Sequence, residues 1–206
     1  MKRYSLFTLI LLALLTACEP QSSFTRSTVI VSNEEYSGPT VADDGRSIVF
    51  RGHLEGKPVI YVAYDSNWGQ PEVAVTLDTP IEGTTLTCQD FFKHQEKDQS
   101  INYNGPTIEG NYITFGALLS NGASGVLYAE KKDQVWKVHL VAQKGAPLPQ
   151  NPERTYAAFN APYLANNIVK FLAKDDQGDD YVFYHYPEKG FTEAIVSSLD
   201  MALLTK

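Results

Sequence analysis

Residues 159–171 read Phe-Asn-Ala-Pro-Tyr-Leu-Ala-Asn-Asn-Ile-Val-Lys-Phe, and this pattern decides the fold. An aromatic residue stands three positions before a proline, and a turn then leads into an apolar strand that ends in phenylalanine. The same pattern begins at Tyr103 and at Tyr36. Self-similarity that recurs along a chain is typical of repeat proteins. The sequence therefore predicts three repeats, at approximately residues 36–102, 103–158 and 159–206.

Each repeat continues with two further apolar segments, which we interpret as strands. The second segments are residues 59–62, 125–128 and 181–184, and the third are residues 72–75, 138–141 and 193–196. The pairs Asp44-Gly45 and Asn121-Gly122 tolerate positive φ and are typical of hairpin turns. We expect an all-β fold of three blade-like, four-stranded antiparallel repeats, similar to a β-propeller, with a β-trefoil as the alternative.

The overall composition fits a folded globular protein and excludes one class of partner. The chain has 206 residues, 43% of them hydrophobic and 20% charged, which is not the pattern of a disordered chain. Its 17 basic residues against 24 acidic ones give a net charge of −7. Binding to nucleic acid depends on lysine and arginine to neutralise phosphates. We therefore expect no nucleic-acid partner.

The first residues have the pattern of a secretory signal. Lys2 and Arg3 precede the apolar run 6–15, which is shorter than the ~20 residues of a membrane-spanning helix. The following Leu15-Thr16-Ala17-Cys18 resembles the lipobox of bacterial lipoproteins. That resemblance implies a signal peptide at 1–17, lipid (palmitate included) on Cys18, a tether at 18–27 and one β-repeat domain at 28–206. It also implies an anchor at the periplasmic face of the outer membrane, because Glu19 and not Asp follows the cysteine.

The body of the chain resembles a secreted bacterial tandem-repeat family over roughly residues 36–206. The likeness is carried by Val-Ala at 141–142, Gly145 before Pro147, the aromatic residues Tyr156 and Phe159 before Pro162, and the strand at 168–171. Proteins of that family are propeller-like and have no settled function. The resemblance thus implies a fold and carries no catalytic residues.

Two features are candidate sites. Trp68 lies in the predicted turn at 66–69, where burial explains a large aromatic residue poorly and where contact with a partner is a common role. The acidic run contains Asp175, Asp176, Asp179 and Asp180, and such oxygen density suits Ca²⁺, although the spacing is not that of an EF-hand. A solvated hairpin turn is the alternative for this run. Beyond calcium we expect no cofactor.

The function follows from what the sequence carries and lacks. It holds no His-Glu-x-x-His, no phosphate-binding glycine loop and no Gly-x-Ser-x-Gly elbow. We expect a lipid-anchored, non-enzymatic binding or scaffolding module of the cell envelope whose partner is an envelope protein or a glycan. The alternative is an envelope hydrolase that acts on glycan or peptide through loop carboxylates such as Asp175 and Asp176.

Overall fold

The computed structural model describes residues 39–91 and 105–195, and every long element in them is a β-strand. The fold is all-β and built from antiparallel sheets, as the sequence predicts. The signal, lipidation and tether segments, Cys18 included, lie outside the described residues. So does the proposed start of the β domain at 28–38.

The first sheet contains four strands in the order in which they follow along the chain. They are β1 (Thr40–Val41), β2 (Ser47–Leu54), β3 (Lys57–Tyr64) and β4 (Glu72–Thr76). Hairpins of two or a few residues connect them, and Glu55 and Gly56 in the β2–β3 turn both have positive φ. Two successive positive-φ residues define the type I′ turn, whose twist matches that of paired strands.

The second sheet has the same core order with a divided first edge. Its strands are β5 (Cys88–Phe91), β6 (Thr107–Glu109), β7 (Tyr112–Leu119), β8 (Ser124–Lys132) and β9 (Val135–Gln143). Strand β6 pairs with the first half of β7, and β5 pairs with its second half, on the same side. The two short strands therefore share one edge.

The third sheet repeats this arrangement. Its strands are β10 (Pro147–Leu148), β11 (Asn151–Phe159), β12 (Tyr163–Ala165), β13 (Ile168–Asp175), β14 (Asp180–Tyr186) and β15 (Phe191–Ile195). Here β12 and β11 together line the first edge of β13, and β10 adds a short hairpin to β11. The aromatic-x-x-Pro pattern falls between the two halves of this edge, because β11 ends at Phe159 and Pro162 precedes β12.

Two apolar interiors separate the three sheets. We call the side of a sheet that is turned toward the next sheet its forward face and the opposite side its rear face. The first interior joins the forward face of the first sheet, with Val49, Ile60 and Val62, to Phe115 and Leu127 on the rear face of the second. The rear face of the second sheet is thus covered by the first sheet.

The second interior joins the forward face of the second sheet, with Val126 and Tyr128, to the rear face of the third, with Phe171 and Phe183. Rings of Phe171 and Phe183 stack with centroids 5.1 Å apart. Burial of a Val, Ile or Phe side chain contributes about 1.5–3 kcal/mol, so these two interiors supply most of the driving force for folding.

Candidate functional site

Trp68 lies in the loop between β3 and β4, where the sequence predicts a turn. The Asn67 side chain accepts a hydrogen bond from the Tyr64 backbone N–H at 3.2 Å, and the Asn67 N–H donates to the Tyr64 carbonyl at 2.9 Å. These two bonds fix the start of the loop next to Trp68. The indole is half-buried, so part of it faces solvent. The contact role of Trp68 stays a prediction.

A polar cluster beside this loop joins the first and second sheets. One Glu72 oxygen, Oε1, accepts from Lys131 Nζ at 2.7 Å and from Trp136 Nε1 at 2.9 Å. The Lys131 ammonium also lies 4.8 Å from the centre of the Tyr64 ring. Burial alone would raise the pKa of Glu72, but the bonds from Lys131 and Trp136 outweigh it and hold that pKa below its usual value. The cluster is therefore a hydrogen-bonded ion pair that connects the first sheet to the second next to the Trp68 loop.

An apolar groove of about 400 Å³ lies where β9 of the second sheet meets β10 and β11 of the third. Its walls include Leu86, Leu140, Pro147 and Tyr156. Gln143 also lines it, and the side-chain oxygen Oε1 of Gln143 is buried without a hydrogen-bond partner in the described part of the chain. A buried acceptor left unpaired costs about 1–3 kcal/mol, which a donor on a bound molecule would offset.

This groove has the size and apolar lining of many binding sites, which occupy roughly 300–1,000 Å³ and carry few polar groups. Sequence reasoning missed it. Its walls come from two different sheets, and no local pattern shows which residues two packed sheets will bring together.

The acidic run forms the hairpin between β13 and β14. Asp175 is 1% exposed, and its Oδ1 accepts the backbone N–H groups of Gln177 at 3.0 Å and Asp179 at 2.8 Å. Its Oδ2 accepts from Arg154 Nη1 at 2.5 Å, and the same nitrogen bonds Asp179. Asp176 is exposed.

These bonds hold Asp175 in its ionised form. Burial would raise its pKa, but Arg154 and the two backbone donors act against it, and the pKa of Asp175 lies below its usual value. Lys174 Nζ lies 2.9 Å from Asp180. A calcium ion would therefore have to displace Arg154 or Lys174. Among the described residues no group of three His, Cys, Asp or Glu side chains is placed to hold a metal ion, and the calcium hypothesis stays a prediction.

Two histidines meet between the second and third sheets, around Tyr128. The His139 ring stacks on the Tyr128 ring with centroids 4.7 Å apart, and the His185 ring lies 5.3 Å from it. His185 Nδ1 bonds the Thr192 hydroxyl at 2.9 Å. The Nε2 atoms of both histidines are buried without a hydrogen-bond partner within the described ranges. Burial, and then the neighbouring His139, lower the pKa of His185 to about 4, so it is neutral at pH 7.

Cys88 lies in the first interior and has no disulfide partner within the described residues. Burial raises the pKa of its thiol to about 12. A nucleophilic cysteine needs a thiolate near neutral pH, and this environment disfavours one.

Comparison with known proteins adds no relative. No family model, no curated protein and no solved structure matches the chain. Among the described residues no helix is long and apolar enough to cross a membrane.

Proposed function

We propose that this chain is a lipid-anchored, non-enzymatic binding or scaffolding module at the periplasmic face of the bacterial outer membrane. The anchor part of the proposal rests on the lipobox-like Leu15-Thr16-Ala17-Cys18 and on Glu19 after it. The binding part rests chiefly on the groove between the second and third sheets, with the unpaired acceptor that Gln143 carries in the described part of the chain. The partner class that fits is an envelope protein or glycan that offers an apolar surface with one N–H or O–H donor.

We further infer that the three sheets are blades of a propeller-like arc. If the two strands at each divided edge count as one, and the two-residue hairpin strand β10 is set aside, the second and third sheets reduce to four-stranded units with one shared order. The short strands β1, β6 and β12, which follow the three prolines, lie close to one another along the arc. The innermost strands of adjacent blades meet in this way in a propeller. Separate sheets with an interior between each pair fit this arrangement better than a trefoil.

The hydrolase alternative finds less support in the geometry. Both oxygens of Asp175 already accept hydrogen bonds, and a lowered pKa is opposite to what a general acid needs. Asp176 is exposed on the hairpin and does not line the groove between the second and third sheets.

Site-specific photo-crosslinking in living cells tests the proposal. A photoreactive amino acid would replace Leu86 in the groove or Trp68 in its loop, with exposed Lys57 as the matched control position. We expect a discrete crosslinked product, identifiable by mass spectrometry as an envelope protein or a glycan fragment, at Leu86 and weaker crosslinking at Trp68. Equal labelling at all three positions, or none at Leu86, contradicts the binding role of the groove.

A substitution of Trp68 by alanine separates the two candidate contacts. We expect it to reduce capture of the crosslinked partner several-fold without a change in the unfolding temperature, because the side chain is half-buried in a loop. Unchanged capture would show that Trp68 is not part of the binding site. The role of the groove would then rest on the crosslinking result at Leu86.

A further inference from the structure

The forward faces of the first and second sheets each pack against the next sheet, and the forward face of the third sheet is the equivalent surface. Positions 49, 114 and 170 are equivalent in the three repeats, and so are positions 62, 128 and 184. Val49 and Val62 pack against the second sheet, and Tyr128 packs against the third. The equivalent residues Lys170 and Tyr184 have no further sheet of this chain in front of them within the described residues.

This face is amphipathic and partly open. Tyr163 and Phe191 are 43% and 50% exposed, so two aromatic side chains of this face are open to solvent. The register places Tyr163, Lys170, Tyr184 and Glu193 in one row across β12, β13, β14 and β15. The Lys170 ammonium lies 5.1 Å from the centre of the Tyr184 ring. Leu172, Val182 and Ile195 form an apolar row beside it.

We propose that a second copy of this chain docks on this face, forward face against forward face, about a two-fold axis parallel to the strands. A head-to-tail arrangement is less suitable. It would need the rear face of the first sheet to be open, and there Phe50, Val59 and Ala63 are buried, at 6%, 2% and 1% exposure. On the forward face of the third sheet Val182 is buried, at 6%, and its neighbours Lys170, Leu172, Tyr184 and Ile195 are half-buried. A two-fold dimer uses the open face twice and closes on itself.

The face is self-complementary about such an axis in charge. An axis between β13 and β14 brings Lys170 of each copy opposite Tyr184 of the other, one strand away from Glu193. Lys170 of each copy therefore lies near Glu193 of the other, so the interface contains two pairs of opposite charges. Complementary charges of this kind fix the register of an interface.

It is also self-complementary in shape. The same axis lays Phe191 on β15 of one copy over the β12 side of the other. A hollow of about 220 Å³ lies next to that edge, between the β12–β13 turn at Asn166-Asn167 and residues 186–189 at the end of β14. An exposed aromatic side chain entering a pocket at an interface is a typical energetic anchor. The inference is independent of the proposed groove function, because the groove lies on the other side of the third sheet.

Sedimentation velocity tests the proposed dimer. The sample is the protein as the expressing cell processes it, in a mild detergent, at about 1 to 100 µM, a range that brackets micromolar association. We expect a dimer. Phe191→Ser should raise the dimer dissociation constant about tenfold or more, whereas Val135→Ser, at a 58% exposed valine of β9, should not. A wild-type monomer throughout the range, including one that instead captures a different protein, overturns the proposal, and so does unchanged dimerisation of Phe191→Ser.

A charge exchange tests the two-fold geometry without removing apolar surface. Lys170→Glu alone should weaken the dimer, since it places like charges together, and adding Glu193→Lys should restore it. Failure of the double exchange to restore the dimer overturns the proposed axis. Circular dichroism and thermal unfolding of each variant establish that it is folded.

Discussion

At the scale of the residue, Asp175 shows how one side chain can close a turn that its neighbours make unfavourable. Four carboxylates within six positions repel one another, yet Asp175 is almost wholly buried in that hairpin. Two backbone donors and Arg154 compensate its charge. The run is therefore not uniform: one aspartate is structural, and exposed Asp176 is free of that role.

Replacement of Asp175 by asparagine should destabilise the fold by about 1–3 kcal/mol, because it leaves Arg154 without its buried partner. Asp176→Asn, the matched control in the same hairpin, should change the free energy of unfolding by no more than about 0.5 kcal/mol. Urea unfolding of the two variants measures both values. Equal effects of the two substitutions would show that Asp175 has no special role.

At the scale of the element, the central strands of the three sheets were predictable, and the divided edges and some of the turns were not. The apolar segments at 47–50, 112–115 and 168–171 lie within β2, β7 and β13. Asn121-Gly122 forms the expected turn. Asp133-Gln134 and Asn166-Asn167 adopt positive φ at both residues. The sequence does not reveal this, because residues other than glycine adopt that conformation rarely. Pairing of the flanking strands imposes that conformation on them.

Strand β8 carries a sharper constraint at Gly125. A Cβ atom there would lie 3.1 Å from Leu119 Cδ1 and 3.3 Å from the Ala142 carbonyl oxygen, and both neighbours belong to adjacent strands. Gly125→Ala should therefore cost about 1–3 kcal/mol through overpacking. Gly69→Ala is the control, since nothing lies within 4 Å of its added Cβ. Thermal unfolding should show a lower midpoint for Gly125→Ala alone, and a matching loss in Gly69→Ala would contradict the packing argument.

At the scale of the whole molecule, the histidine cluster and the groove form between sheets, and local sequence patterns therefore did not predict them. His139 and His185 belong to different repeats and show no ligand spacing in the sequence, yet they enclose the same tyrosine ring. The groove at Gln143 likewise exists only after two sheets pack. Single-repeat patterns therefore predict the central strands well and the sites formed between sheets poorly. The binding roles of Trp68 and of the acidic hairpin stay predictions.

The histidine pair makes the junction of the second and third sheets sensitive to acid. The folded pKa of His185, about 4, lies below the ordinary value of 6.5, so the unfolded chain binds the proton more readily. The stability that neutral His185 contributes is complete above pH 6.5 and is lost as the pH falls toward 4, a loss on the order of 3 kcal/mol.

Unfolding free energies of the wild type and of His185→Gln, measured from pH 7 to pH 4, isolate this contribution from that of the carboxylates. We expect a steeper fall in the wild type, since glutamine takes up no proton. Parallel curves for the two proteins would show that the buried imidazole does not control the junction.

The divided edge has a consequence for how such a chain can change. In the third sheet the two halves of the edge, β11 and β12, are separated by residues 160–162, whereas in the second sheet β5 and β6 are separated by residues 92–106. The central strands keep the same pairing in both cases. The second and third sheets therefore each have a position at which the length of the chain can vary without a change of register. Evolution or an engineer can lengthen the chain at that position and leave the scaffold as it was.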